Sequence, residues 1–171
     1  MKAIGKGSLA SILAVGLHIA RVVIFICFVG VSIAAVTMPF LPFVAPALDG
    51  VPGVALDHAG LSGGDYVKVM RWFVTFGVML FVVNRLLEIL RTLRFGTPFA
   101  RENAVRFRQL GYALLLGEGA KIAFSILGAI FDADVDVKFE FMTWISIVAV
   151  FVLAEVFHQG AKLKEEQDLT V

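Results

Sequence analysis

Residues 113–131 read ALLLGEGAKIAFSILGAIF, and this stretch decides the fold class. A helix rises about 1.5 Å per residue, so ~20 apolar residues cross a hydrocarbon core ~30 Å thick. The stretch is long and apolar enough for that, yet Glu118 and Lys121 stand near its middle. Three other segments share its character. The four expected spans lie within residues 22–41, 72–92, 110–131 and 141–161. The composition agrees: 59% of the 171 residues are hydrophobic and 17% charged, where a soluble domain is about a quarter charged. Mean hydropathy is +0.89. Spans of this length take up roughly half of the chain and leave no room for a soluble domain. The fold class is therefore an all-α membrane protein, a four-helix transmembrane bundle.

Charge places the ends of the helices. Lys2, Lys6, Arg21, Arg85, Arg91, Arg94, Arg101, Arg106, Arg108, Lys162 and Lys164 fall on one side, eleven of the fifteen bases. Lys68, Arg71 and Lys138 fall on the other, and Lys121 lies inside a span. Basic flanks stay cytoplasmic, which predicts both termini inside. Trp72 and Trp144 then both reach the outer interface, where tryptophan anchors helices. The uncharged run over residues 22–48 exceeds the ~7–15 residues of a signal-peptide core, so it reads as a retained signal anchor. Cys27 lies in this first span, without a partner for an intrachain disulfide, and is expected to pack as a small apolar residue.

The connections carry further signals. Ser8 suits the N-cap of a helix that precedes or extends span one, with His18 and Arg21 reaching towards headgroups. Asp, Gly and Pro mark turns in the first outer loop, where residues 51–56 can form a strand. In the second outer loop, FDADVDVKFEF (131–141) alternates apolar and charged residues, the pattern of a strand with one buried face. A lone strand is unstable, so the two outer loops are expected to pair as a small β cap. The D-x-D-x-D spacing invites calcium, but Val137 and Thr143 stand where an EF-hand needs Gly and Glu. A solvated acidic face is the expectation.

The inner loop, residues 93–109, is basic. Thr97 and Pro98 fit the N-cap and first position of the third helix. Arg91, Arg94, Arg101, Arg106 and Arg108 offer a surface to anionic lipid or to a partner protein. The tail, residues 162–171, adds Lys162 and Lys164 beyond a break expected at Gly160. Its end, Asp168, Leu169, Thr170 and Val171, either frays or adds a strand to a partner's sheet.

The inner loop and tail together carry a resemblance. Gly96, Pro98, Phe99, Asn103, Arg108, Leu110 and Gly111 follow the loop pattern of the bacterial four-span family called domain of unknown function 2975, with Phe107 in place of a usual Leu. Gly160, Leu163, Lys164, Glu165, Glu166, Asp168, Leu169, Thr170 and Val171 resemble the tail of the same family. The resemblance implies a bacterial inner-membrane protein whose relatives are often encoded beside small helix-turn-helix regulators. It brings no catalytic residues.

Motifs for chemistry are missing from the sequence. His18, His58 and His158 fall in separate segments, without the spacing of a zinc site. There is no P-loop and no G-x-S-x-G. No enzyme activity, cofactor, metal or direct nucleic-acid contact is expected.

A charge deep in a bilayer costs a few kcal/mol and should face the bundle. Glu118 and Lys121, three residues apart, share a helix face. Counting from the inner boundary puts Arg85 and Glu118 at similar depth, roughly 12 Å. Asn84, Arg85, Glu88, Glu118 and Lys121 are thus expected to form one inward-facing network. Two functions follow. One is a regulatory or sensing module that binds a cytosolic partner, such as a helix-turn-helix regulator, from within the lipid. The other is a small transporter or channel component that uses the buried charges. A paired, apolar core favours the first; an aqueous path past an unpaired Glu118 favours the second. Homo-oligomerisation stays open.

Overall fold

The computed structural model describes residues 9–48, 62–94, 99–133, 135 and 140–169. Helix α1 (Leu9–Thr37) passes through a 3₁₀ turn (Met38–Phe40) into α2 (Leu41–Leu48). Then follow α3 (Gly63–Arg94), α4 (Arg101–Ile130) and α5 (Phe141–Leu169). The turn has proline in its first residues. Pro39 lacks an N–H and its ring crowds the preceding turn, so the helix tightens there. The hydroxyl of Thr37 donates to the Ile33 carbonyl at 2.9 Å just before it.

Among the described residues, four stretches are long and apolar enough to cross a membrane: Ser11–Val44, Gly63–Leu93, Arg101–Ile130 and Phe141–Gln167. Each exceeds the ~20 residues that a bilayer core requires, so its ends reach past the hydrocarbon or the helix tilts. Hydroxyls within the helices are satisfied locally, as a lipid environment demands. Ser32 donates to the Phe28 carbonyl at 2.6 Å, Thr75 to Arg71 at 2.8 Å and Ser146 to Met142 at 2.8 Å.

The helices pack in order as an antiparallel row, α1 on α3, α3 on α4 and α4 on α5. Phe28 stacks on Phe73 between α1 and α3, ring centres 5.0 Å apart. Gly117 of α4 faces Val78 of α3. Between α4 and α5, the Phe151 ring lies on Gly111 and Phe107 stacks on Phe157 at 4.8 Å. Buried positions are mostly small or aliphatic, among them Ala104, Leu110, Ala113, Ile147, Ala154 and Ala161. Small side chains let backbones approach, which is how helices associate where lipid is as apolar as leucine. The expected four-helix bundle takes the form of a row, because extensive contact among the described residues joins only neighbouring spans. It curls enough that Ile24 of α1 and Thr143 of α5 line one cavity.

Several local expectations change. No strand occurs among the described residues, so the β cap is not supported; residues 51–56, 134 and 136–139 lie outside them. After α4 the chain turns at Asp132, which takes a left-handed φ of 51°, and the Ala133 N–H donates to the Gly128 carbonyl at 2.8 Å. Asp tolerates that conformation better than bulkier residues. Ala133 then packs on Gly64, and Val135 on Gly128. Of the alternating apolar residues, Ala133 and Val135 thus cover helix ends. At the start of α3, the amide and hydroxyl of Ser62 both donate to the Asp65 carboxylate, at 3.0 and 2.9 Å, which fixes the entry of the chain into the helix.

At the opposite end α4 begins at Arg101 with Ala100 in the cap position; Thr97 and Pro98 lie outside the described residues, as does Ser8. Gly160 does not break α5, which continues to Leu169. Its missing side chain is where the Phe99 ring rests. Cys27 is exposed on α1 and does not pack in a core.

Candidate functional site

The expected network of five residues separates into two sets. The upper set is one pair: the Lys121 ammonium donates to Glu118 Oε1 at 2.6 Å. The Glu118 side chain is 10% exposed and that of Lys121 43%. Both line a cavity of about 410 Å³. Its wall is otherwise mainly apolar, with Val78, Val82, Leu114 and Phe124 from α3 and α4, while Arg71 and Thr143 also border it. A carboxylate with so little exposure needs its counter-charge close by, and the i,i+3 spacing supplies it on the same helix.

The lower set lies where α3 meets the start of α4. Arg85 Nη1 donates to Glu88 Oε2 at 2.7 Å, and Arg106 Nε donates to the same oxygen at 3.2 Å. Arg106 Nη1 also donates to Asn103 Oδ1 at 2.9 Å. Asn103 is fully buried; its amide donates to Thr92 Oγ1 at 2.7 Å, and that hydroxyl lies 2.7 Å from the Ile89 carbonyl, to which it can donate. Asn84 lines a neighbouring groove together with Arg85 and Glu88.

Of the two partners that depth allowed for Glu118, Lys121 pairs with it and Arg85 does not. The register of α3 on α4 explains this: Thr92 meets Asn103 and Val78 meets Gly117, so Glu118 stands level with residues near 77, more than a helical turn from Arg85. Arg106, expected on the outer surface, is turned inward to Glu88. Thr92 and Asn103 belong to the same cluster. Thr92 gave no sequence signal, and Asn103 stood out only through the family resemblance.

The remaining surface bases divide. Arg91, Arg101, Arg108, Lys162 and Lys164 are exposed. Arg101 and Lys162, far apart in sequence, line one small cavity with His158 and Glu165, where the start of α4 crosses the end of α5. Leu169 is exposed and still helical. The side chains of Arg94 and Asp168, and all of Thr170 and Val171, lie outside the described residues.

Residues 66–171 match the family described as "Protein of unknown function (DUF2975)", more than half of the chain, and the chain belongs to that family. The match takes in almost all of α3, all of α4 and α5, and neither α1 nor α2. No curated protein and no solved structure matches the chain.

Proposed function

We propose that this multi-pass protein is a non-enzymatic regulatory module of a bacterial inner membrane. It holds a cytosolic partner at its basic end, and a small helix-turn-helix regulator is the partner class that the family resemblance suggests. The observation that carries the reading is the convergence of Arg101 and Lys162, which joins the basic loop and the tail in one exposed surface. With both termini in the cytosol, as the charge asymmetry predicts, that surface faces an acidic patch on a soluble protein and attracts it over about a Debye length.

Transport by the buried charges is the second reading, and the cavity beside Glu118 is what favours it. The pairing of Glu118 with Lys121 against a mainly apolar wall supports regulation instead, because a transport path needs charges that water or an ion can reach.

Affinity purification from native membranes, with and without the Arg101→Glu/Lys162→Glu double variant, tests the proposal. A DNA-binding protein should accompany the parent chain and be lost with the double variant, while the variant remains in the membrane. If no such protein accompanies the parent chain, and gene expression is the same with and without it, regulation gives way to transport.

A further inference from the structure

A second, more polar cavity of about 590 Å³ lies between α1 and α3 at the basic end. His18 and Arg21 of α1 face it, as do Asn84, Arg85, Glu88 and Arg91 of α3. The spacing accounts for the convergence: residues 18 and 21 share one helical face, and 84, 88 and 91 share another. Its charge is unbalanced. Glu88 is the one carboxylate among the described lining residues, and a single oxygen of it already accepts from both Arg85 and Arg106. Arg21 and Arg91 have no ion-pair partner among the described residues. His18 donates from Nδ1 to the Ala14 carbonyl at 2.7 Å, so its other ring nitrogen accepts in the neutral ring and can donate to an anion only in the imidazolium form.

Cations at the edge of the hydrocarbon that lack a carboxylate call for another anion. Guanidinium groups match phosphate oxygens in planar, two-pronged contacts. Basic pockets between membrane helices on the cytoplasmic side suit acidic headgroups, and the volume falls within the ~300–1,000 Å³ of small-ligand sites. One wall continues up α1 as Val22, Phe25 and Ile26, all exposed apolar side chains. An acyl chain attached to a phosphate in the cavity can lie along them.

We propose that this groove binds the phosphate of an anionic phospholipid, with Arg21 and Arg91 as its principal contacts and Arg85 and His18 beside them. Free phosphate offers the same chemistry without the chains. The test uses the full chain purified in neutral detergent, with thermal unfolding followed in added phosphatidylglycerol, phosphatidylcholine or inorganic phosphate. Phosphatidylglycerol should raise the Tm and remain bound in mass spectra, whereas phosphatidylcholine should do neither. Arg21→Ala and Arg91→Ala should each weaken phosphatidylglycerol binding about fivefold, the effect of one surface base on an anionic lipid. Added salt should weaken it further. Lys68→Ala, an exposed base at the opposite end of α3, is the control and should leave phosphatidylglycerol binding unchanged. Equal responses to both lipids, or full binding by the Arg21→Ala/Arg91→Ala double variant, would overturn the proposal. A Tm rise with inorganic phosphate as large as that with phosphatidylglycerol would overturn the lipid assignment.

Discussion

Glu118 and Lys121 hold each other beside a mainly apolar wall, so removing one partner leaves the other without its counter-charge. Glu118→Gln and Lys121→Met should each lower stability in detergent by about 1–3 kcal/mol, the lower part of the range applying because Lys121 is partly exposed and polar pairs in membranes are weaker than in soluble cores. The double variant should lose less than the sum of the two. By contrast, Glu118→Gln and Arg85→Gln should add, since independent sites do. Thermal unfolding of the single and double variants checks both statements. At the other cluster, Asn103→Ala removes a buried amide that bridges Thr92 and Arg106, and should cost about 1–3 kcal/mol in the same assay. The Glu118–Lys121 pair was legible in the sequence because i,i+3 spacing on a helix is local. Whether Arg85 also reaches Glu118 was not, because depth counted from an assumed boundary cannot supply the register of one helix against the next. That register comes from contacts such as Thr92 with Asn103.

The number and approximate positions of the four spans were readable from hydrophobic runs, but the full lengths of the helices, and which side chains the glycines between them receive, were not. Gly111 stood out as part of the loop pattern, and Gly160 as a break; both receive aromatic rings from elsewhere in the chain. A Cβ on Gly111 would lie 2.7 Å from the Phe151 ring, and one on Gly160 would lie 2.6 Å from Phe99. Gly111→Ala and Gly160→Ala should therefore lower the Tm, by about 1–3 kcal/mol of overpacking unless the rings swing aside. Gly16→Ala and Gly30→Ala on α1 meet no atom within 4 Å and should leave the Tm unchanged or slightly raised. The alternation over residues 131–135 was similarly half legible. It marks which side chains turn inward, but not that helix ends, with Gly64 and Gly128 in place, receive them. For the tail, a helix that runs to Leu169 leaves strand addition only to the last two residues.

At the scale of the whole molecule, the sequence carries the number of spans and a charge asymmetry, and the asymmetry predicts orientation. In a Cys27→Ser background, cysteines at Lys68 and Glu140 should react in intact cells with a thiol reagent that cannot cross membranes, and one at Lys164 should not. The opposite pattern would invert the topology and remove the cytosolic surface on which the proposed function rests. The order of helix contacts was hidden, since hydropathy reports what faces lipid and not which helix lies beside which.

Because α3 is the one spanning helix with which α1 makes extensive contact among the described residues, the molecule should be divisible. Residues 62–171, which contain the whole family match, should insert and fold when expressed without the first helix. Supplied as a separate polypeptide, residues 1–50 should find that remnant and reassemble with it in the membrane. Phe73→Ala, which strips the ring that Phe28 stacks upon, should prevent the reunion, and Gly111→Ala, at the far seam, should not. Co-purification of the two fragments reads the result directly.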